Sequence, residues 1–207
     1  MTSPASPPAP GRSLIVLLGS LVMVGPLAVD MYLPSLPDIA ANLAAPAAEV
    51  QQTITVFLLG FALGMLVYGP ISDRFGRRPV IAAGLALFLL ASILCAMADG
   101  IGTLTIGRLL QAIGGGAASA LARAVAKDLF STEGAARALS LMAMVMAIAP
   151  MAAPTVGGQI LLVADWRTIF YVLAAFGAAG LLATLTLLPE SLPPSARAGI
   201  RLLGAFG

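Results

Sequence analysis

The stretch from Tyr68 to Pro79, YGPISDRFGRRP, places four charged side chains between two long apolar runs. They are Asp73, Arg74, Arg77 and Arg78. Charged side chains are costly in hydrocarbon, so this turn has to lie at a membrane face if the flanking runs cross a bilayer. Three arginines in one short loop also indicate the cytoplasmic face, where Lys and Arg accumulate. This stretch therefore predicts a membrane-spanning chain and the direction in which it crosses.

The composition agrees with lipid as the solvent of most side chains. Hydrophobic residues make up 59% of the chain and charged residues 10%, whereas a soluble domain carries about 25% charged residues. The single cysteine, Cys95, lies in an apolar run, so we expect no disulfide framework. Histidine, which often binds metals or moves protons near neutral pH, does not occur in the sequence. We expect no metal, cofactor or nucleic-acid partner, and the apolar runs carry no constellation typical of an enzyme.

Six apolar runs reach the length of about 20 residues that a bilayer core requires. Short connections join them and predict antiparallel neighbours. The predicted fold is an all-α, polytopic membrane protein with six transmembrane helices. The predicted spans are residues 14–36, 50–71, 80–98, 101–126, 138–163 and 167–188.

The two ends of the chain differ from the apolar part. Residues 1–13 are rich in Pro and Ser, which predicts a disordered cytoplasmic tail before a helical bundle over residues 14–190. Residues 191–207 are interpreted as the start of a central cytoplasmic loop that is cut short. Arg12 with the apolar residues 14–27 also resembles a signal peptide, but no small-x-small cleavage site follows.

Basic residues are distributed unequally about the six spans. With the N-terminus inside, the outer connections hold only Arg167, and Arg108 falls within a span. Acidic residues divide evenly, as expected because the positive-inside rule concerns Lys and Arg. This asymmetry predicts that both termini are cytoplasmic. The basic residues on the inner side are Arg12, Arg74, Arg77, Arg78, Arg123, Lys127, Arg137, Arg197 and Arg201.

Asp30 and Arg108 are the ionisable residues that fall well within predicted spans. Each lies about six residues from the outer end of its span, or about 9 Å deep, so the two could meet or share one cavity. One interpretation is an ion pair that only fixes packing. The other is that Asp30 takes up and releases a proton during transport while Arg108 tunes this titration. Gln111 follows on the same helix face, where it contacts substrate or satisfies Arg108.

Prolines and glycines interrupt several spans. Pro26 should break the first helix near the acid, and residues 149–158, APMAAPTVGG, predict a kinked fifth helix that lines a cavity or serves packing alone. Small residues at 60, 64 and 114–116 permit close helix contacts, and packing alone is the favoured interpretation of them.

Several motifs resemble one transporter family. The pattern Gly69-x-x-x-Asp73-Arg74-x-Gly76-Arg77-Arg78 resembles the signature loop of the major facilitator superfamily, between its second and third helices. Residues 30–37, DMYLPSLP, and 108–114, RLLQAIG, resemble the first-helix and fourth-helix motifs of its drug/proton antiporters. Residues 149–158 resemble the fifth-helix antiporter motif, with Ala149 in place of the more usual glycine. With WRTIF and LPESL near the sixth helix, the chain is most similar to the Bcr/CflA branch, named for bicyclomycin and chloramphenicol resistance.

This resemblance implies a proton-coupled multidrug efflux transporter of a bacterial inner membrane, which exchanges small, mainly apolar drugs for protons. The family has twelve helices in two halves with the substrate site between them, and this chain resembles the N-terminal half only. The expected partner is a second six-helix half or another copy of the chain, since polar faces of helices 1, 2, 4 and 5 would otherwise lack cover. The alternative is a truncated product without transport activity, inert or associated with full-length transporters.

The resemblance also implies roles for individual residues. Proton coupling falls on Asp30 and Arg108, and the substrate cavity on Tyr32 and Gln111. The antiporter motif of the fifth helix consists of Pro150, Pro154, Gly157 and Gly158. A conformational latch is expected from Gly69, Asp73, Arg74, Gly76, Arg77, Arg78 and Arg123. The alternative is a solvated loop that only sets the topology. Because Arg123 lies about 22 Å deeper than Arg108, an ion pair between Asp73 and Arg123 is predicted to close the inner side.

Overall fold

In a computed structural model of the protein, residues 12–192 are described, and every regular element among them is helical. A short 3₁₀ turn over Leu33–Ser35 separates the first two α-helices. The tail expected at residues 1–13 and the loop expected at 191–207 lie almost entirely outside the described residues. The helices are α1 (Arg12–Asp30), α2 (Leu36–Asn42), α3 (Ala47–Phe75), α4 (Arg77–Ala96), α5 (Ile101–Leu129), α6 (Thr132–Val163) and α7 (Trp166–Leu187).

The six predicted membrane spans are confirmed within residues 12–192. Each of the six helical segments is long and apolar enough to cross a bilayer. The first span runs from Ser13 to Asn42 and combines α1, the 3₁₀ turn and α2. The helix continues through Pro26, where a break was expected, and ends instead at Asp30. The break therefore comes after the acidic residue, beside Pro34, because proline is tolerated in the first turn of a new helical segment.

Helix α5 forms the centre of the bundle and packs against α1, α3 and α4. Small residues let its backbone approach these neighbours closely. A Cβ atom on Gly114 would lie 2.6 Å from the carbonyl oxygen of Gly84, and one on Gly116 would lie 3.1 Å from that of Phe61. In lipid, helices associate through such close van der Waals packing because no hydrophobic force drives them together.

Helices α3 and α6 are the least covered of the six spans. In an apolar stretch of 18 residues of each helix, only 17% is buried inside the bundle, against 67% in the corresponding stretch of α5. Large apolar side chains project from both helices, whereas soluble proteins rarely expose a contiguous surface of this kind. They include Leu59, Leu63 and Leu66 on α3, and Met144, Ile148 and Met151 on α6.

Arg167 contacts three elements at the end of the bundle opposite the arginine-rich turn. Its Nη1 donates to the side-chain oxygen of Asn42 at 2.9 Å, and its Nη2 donates to the carbonyl of Ala98 at 3.0 Å. The guanidinium also lies over the ring of Trp166, 4.3 Å from the centroid. These contacts join the end of α2, the α4–α5 connection and the start of α7.

Candidate functional site

The end of α1 leaves one backbone carbonyl available inside the bundle. An α-helix would direct the N–H of Tyr32 to the carbonyl of Ala28. The N–H of Tyr32 instead donates to the carbonyl of Val29 at 3.2 Å, because the chain tightens into a 3₁₀ turn. The carbonyl of Ala28 is therefore free to accept a bond from another helix.

Arg108 of α5 occupies that position and is completely buried. Its Nη1 donates to the carbonyl of Ala28 at 2.9 Å and to Oε1 of Gln111 at 2.7 Å. Its Nε and Nη2 have no hydrogen-bond acceptor within residues 12–192. No carboxylate in this part of the chain forms an ion pair with Arg108. A cation in such a site creates a strong local attraction for negative charge.

Three aromatic rings surround the Arg108 guanidinium. Its central carbon lies 4.1 Å from the ring centroid of Phe57, 4.5 Å from that of Tyr32 and 5.9 Å from that of Phe170. The negative face of an aromatic ring attracts a cation, and this attraction is larger where water is excluded. These three rings offset part of the desolvation cost of burying the arginine without a carboxylate partner.

Polar partners hold two members of this cluster in place. The amide of Gln111 donates to Ser92 Oγ at 2.8 Å, and Ser92 Oγ donates to the carbonyl of Phe88 at 2.7 Å. On the opposite side, Thr53 Oγ1 donates to the carbonyl of Val50, so the Tyr32 hydroxyl donates to Thr53, 2.8 Å away. The prediction that Gln111 shares a face with Arg108 holds, and Gln111 accepts one hydrogen bond from Nη1 of the arginine.

Tyr32 and Gln111, which were expected to line a substrate cavity, are both completely buried in the structure. They belong to the wall that fixes Arg108. The sequence also did not single out Phe57, Thr53 or Ser92, since an apolar or hydroxyl residue in a span gives no separate signal. Phe170 was noted only as the last residue of the WRTIF motif. Only the crossing of α1, α3, α4, α5 and α7 brings these side chains together.

Asp30 ends α1 two residues after Ala28 and is partly exposed. Within the described residues it forms no ion pair with Arg108. The interpretation that Asp30 and Arg108 form an ion pair that fixes packing is therefore wrong for this structure. The helix end explains the separation, since the 3₁₀ turn presents a backbone carbonyl to the arginine and leaves the carboxylate at the surface of the bundle.

At the other end of the bundle, the arginine-rich loop is a tight turn between α3 and α4. Gly76 connects the two helices with φ of 97°, a conformation that residues with a Cβ rarely adopt. Arg77 then begins α4, and its guanidinium contacts Asp73 at 2.8 Å and Asp128 at 3.2 Å. Its Nη1 also donates to Ser72. One arginine thus joins the ends of α3 and α5.

The segment after α7 adds two further contacts to this cluster around Arg77. A carboxylate oxygen of Glu190 accepts the backbone N–H of Arg77 at 2.9 Å, at the start of α4. A negative group is favoured at that helix end. Ser191 Oγ donates to the same Asp128 oxygen that Arg77 contacts, at 3.1 Å. Asp128 and Glu190 follow predicted spans 4 and 6 in the sequence, but no pattern in the sequence assigned them a partner.

The predicted ion pair between Asp73 and Arg123 is wrong for this structure. Asp73 pairs with Arg77, four residues away across the turn, which is a more local contact than one to another helix. Arg123 instead directs its Nη1 toward the sulfur of Met146 on α6, at 3.5 Å. A depth estimate places both residues near the inner face, but it does not determine which side of α5 carries Arg123.

The other members of the expected latch have separate surroundings. Arg74 lies over the ring of Phe75, 5.2 Å from the centroid. Arg78 donates from Nη2 to the carbonyl of Leu185 on α7. A Cβ added to Gly69 would meet no atom of residues 12–192 within 4 Å, so packing among these residues does not require a glycine here.

The glycines of the fifth-helix motif differ from each other. Gly157 packs directly on the backbone of Met31, where any side chain would collide with the carbonyl group. The neighbouring Gly158 faces open space. Pro150 and Pro154 lie within α6, which is assigned as one continuous helix. The fifth span is therefore pressed against the point at which α1 ends, beside the Arg108 cluster.

These features together define a polytopic membrane protein. One arginine is buried among neutral polar and aromatic side chains in the bundle, and a charged turn lies at one end of it. The chain belongs to the Major Facilitator Superfamily, which matches its residues 18–202. This confirms the family indicated by the loop and helix motifs.

Curated relatives are transporters and resistance proteins. The chain is 43% identical over 183 residues to the uncharacterized MFS-type transporter YdgK of Bacillus subtilis, covering 87% of the chain and 46% of the relative. It is 36% identical to a bicyclomycin resistance protein homolog of Haemophilus influenzae, with 91% and 47% covered. It is 38% identical to the multidrug resistance protein MdtL of Escherichia coli, with 85% and 45% covered. The chain thus spans about half the length of these relatives, consistent with an N-terminal half.

A solved structure supports the fold. The proton:xylose symporter XylE, bound to 6-bromo-6-deoxy-D-glucose, superposes with a TM-score of 0.78 at 18% sequence identity. The match covers 86% of this chain and 45% of the symporter chain. At this identity the likeness establishes the six-helix arrangement, and the curated relatives carry the information on function.

Proposed function

We propose that this chain forms one half of a proton-coupled multidrug exporter that exchanges small, mainly apolar drugs for protons. The observation that carries the proposal is the buried, carboxylate-free Arg108 next to the end of α1, in a chain related to bicyclomycin and multidrug resistance proteins. A buried charge within the membrane is by default a functional group, since it is costly to insert.

Asp30 is the proposed proton carrier. It is partly exposed at the end of α1, two residues beyond the carbonyl that Arg108 holds. Deprotonation gives a carboxylate that Arg108 attracts, and protonation removes that attraction. A proton on Asp30 thereby controls whether α1 is drawn toward the centre of the bundle. Tyr32 and Phe57 transmit this change, because both contact the guanidinium.

The proposed orientation has both chain termini in the cytoplasm of a bacterial inner membrane. The support is the unequal distribution of basic residues. Nine of them fall on the side of the membrane where the arginine-rich loop lies, and only Arg167 falls in the connections on the opposite side. In this orientation the cluster around Arg77 lies at the cytoplasmic face. It serves as a latch that holds the inner ends of α3, α4 and α5 together when the transporter is closed on that side.

The proposed partner is a second six-helix half, with another copy of the chain as the alternative. The support is that the chain spans about half the length of its curated relatives. The least covered spans, α3 and α6, offer the surface on which a second half would pack. Arg108 and Gln111, which were expected on a polar face of helices 1, 2, 4 and 5 that lacks cover, are instead buried within this chain. The association surface is thus apolar, and a substrate site between two halves follows from their packing.

Efflux from cells tests the function. The chain would be produced alone and together with a second half taken from a related transporter, in a strain that lacks its own drug exporters. We expect reduced accumulation of a cationic dye and of chloramphenicol only when both halves are present, with the reduction abolished by a protonophore. Dye accumulation that is equal with and without the second half, or insensitive to the protonophore, would reject the proposal.

A further inference from the structure

The ring of Phe61 on α3 packs directly on the backbone of α1. A Cβ atom at Gly25 would lie 2.5 Å from Cζ of Phe61 and 2.9 Å from its Cε2, so the ring occupies the space that a side chain at residue 25 would need. Helices α1 and α3 both pack against α5, but their backbones make little contact with each other. The Phe61 ring therefore bridges a gap between these two helices.

The base of the Phe61 side chain is fixed, while its ring has room to change rotamer. The preceding residue, Gly60, brings α3 so close to α5 that a Cβ atom there would lie 2.9 Å from Cδ1 of Leu109 and 3.2 Å from Cβ of Ala112. Phe61 itself is only partly buried. Because a rotamer change moves the ring without moving the helix, a displacement of α1 at Gly25 is expected to move this ring first.

The same ring supports the cluster around Arg108. Phe61 stacks on Phe57, one helical turn earlier, with ring centroids 5.9 Å apart and planes inclined by 15°. Phe57 is buried and lies 4.1 Å from the guanidinium carbon of Arg108. Arg108 in turn holds the carbonyl of Ala28, one turn after Gly25 on α1. These contacts form a closed path that leads from the arginine through α3 to α1 and back to the arginine.

We propose that Phe61 is a positioning residue, which packs on Gly25 and holds Phe57 against the guanidinium of Arg108. This inference depends on the proposed function, in which α1 is drawn toward Arg108 when Asp30 loses its proton. Such a movement changes the contact between Gly25 and Phe61, and it displaces Phe57 because the two rings are stacked. The contact thereby couples the surroundings of Arg108 to the position of α1.

A second reason for a glycine at residue 25 has to be separated from this one. Pro26 follows, and the residue before a proline avoids the helical conformation partly because its Cβ meets the proline ring. Gly25→Ala would therefore strain α1 even without Phe61. Phe61→Leu distinguishes the two reasons, because leucine lacks the Cε and Cζ atoms that a Cβ at residue 25 would meet.

The single cysteine of the sequence provides a reporter that does not require transport. Cys95 is completely buried and lies against the residue before Arg108, since a Cβ atom at Gly107 would be 2.6 Å from its Sγ. Labelling of Cys95 with N-ethylmaleimide, on the full chain in lipid nanodiscs and well below the melting temperature, measures how often this region opens. Arg108→Lys is the reference variant, in which labelling should be faster.

We expect Gly25→Ala and Phe61→Leu each to accelerate labelling about fivefold, through overpacking in the first and an unfilled contact in the second. The double variant should label within about twofold of the wild type, because the added methyl group fills part of the space that leucine leaves. Gly19→Ala is the control on the same helix, since a Cβ there meets no atom of residues 12–192 within 4 Å. A double variant as fast as Gly25→Ala, or wild-type labelling in both single variants, would overturn the proposal.

Efflux by the two-half transporter provides the second measurement. Both single variants should lower the maximal efflux rate and leave the KM for the drug unchanged, and the double variant should regain rate. A normal rate in Gly25→Ala, despite faster labelling of Cys95, would show that the contact only supports the fold and would overturn the positioning role. Absence of protonophore-sensitive efflux in the unmodified two-half protein would instead reject the proposed function, and the labelling experiment would still decide whether Phe61 acts on the Arg108 site.

Discussion

The guanidinium carbon of Arg108 lies 4.1 Å from the ring centroid of Phe57, and the arginine is completely buried without an ion pair to any carboxylate of residues 12–192. A backbone carbonyl, an amide oxygen and aromatic faces take the place of a counterion. Such a site holds a positive charge in position but leaves its attraction for negative charge largely unused. The first three predictions follow from this arrangement.

Arg108→Lys should impair transport strongly while the protein still inserts. A lysine keeps the charge but cannot contact the carbonyl of Ala28, Gln111 and the aromatic rings with one planar group. Loss of a hydrogen bond to a charged group costs about 1.5–3 kcal/mol, so we expect about a tenfold to hundredfold lower efflux rate for the two-half transporter. Arg137→Lys, at an exposed position, is the control. Loss of the Arg108→Lys protein from the membrane would instead indicate a role in folding.

Asp30→Asn should uncouple efflux from the proton gradient. The amide keeps the shape of the side chain but cannot release a proton. One pH unit supplies about 1.36 kcal/mol per proton, so the variant should lose about a tenfold drug gradient for each imposed pH unit. Drug uptake into inverted vesicles measures this, with exposed Asp38→Asn as the control. Full proton-driven accumulation by Asp30→Asn would assign coupling to another group.

Gln111→Leu should destabilise the bundle. It removes one of the two acceptors of Arg108 Nη1 and the donor to Ser92, inside a site from which solvent is excluded. An unsatisfied buried polar group costs about 1–3 kcal/mol. Thermal unfolding in detergent should show a clearly lower melting temperature for this variant and almost no change for Gln52→Leu, which is exposed on α3. Equal melting temperatures would mean that Gln111 does not support the arginine.

Gly157→Ala and Gly158→Ala should have opposite consequences. A methyl group at 157 meets the backbone of Met31, which cannot move aside as a flexible side chain can, whereas position 158 is open. Overpacking typically costs about 1–3 kcal/mol, while an exposed Gly→Ala change in a helix is favourable by up to about 1 kcal/mol. Thermal unfolding of both proteins would check this. Similar stability of the two variants would contradict the close contact of α6 with the end of α1.

Asp128→Asn should weaken the inner latch as much as Asp73→Asn does. Both acids contact Arg77, whereas Arg123 contacts neither. Because these ion pairs are partly exposed, each is worth about 1 kcal/mol or less, and the effect should fade at high salt. Crosslinking between cysteines placed at the inner ends of α3 and α5 would report opening, with Arg123→Gln as the control. A large effect of Arg123→Gln alone would favour a pair between Asp73 and Arg123 instead.

Much of the architecture was predictable from the chain alone. A hydrocarbon solvent demands long apolar helices, and charges must lie outside it, so six spans, short connections and the turn after Phe75 follow from the order of residues. Gly76 is required by its positive φ, and the motif around it was sufficient to indicate the family. Arg108 stood out because a cation within a span is costly to insert and therefore rare.

Only the tertiary structure decided which groups these residues contact. The depth of a residue can be counted along a helix, but the direction in which each helix face points cannot be read from the sequence. In the structure Arg123 faces α6, and both Asp73 and Asp128 pair with Arg77. Likewise, Arg108 met the carbonyl of Ala28 rather than the carboxylate of Asp30, because α1 tightens at its end and frees that oxygen. Residue order determines which groups reach a given level of the membrane, and helix packing determines which of them touch.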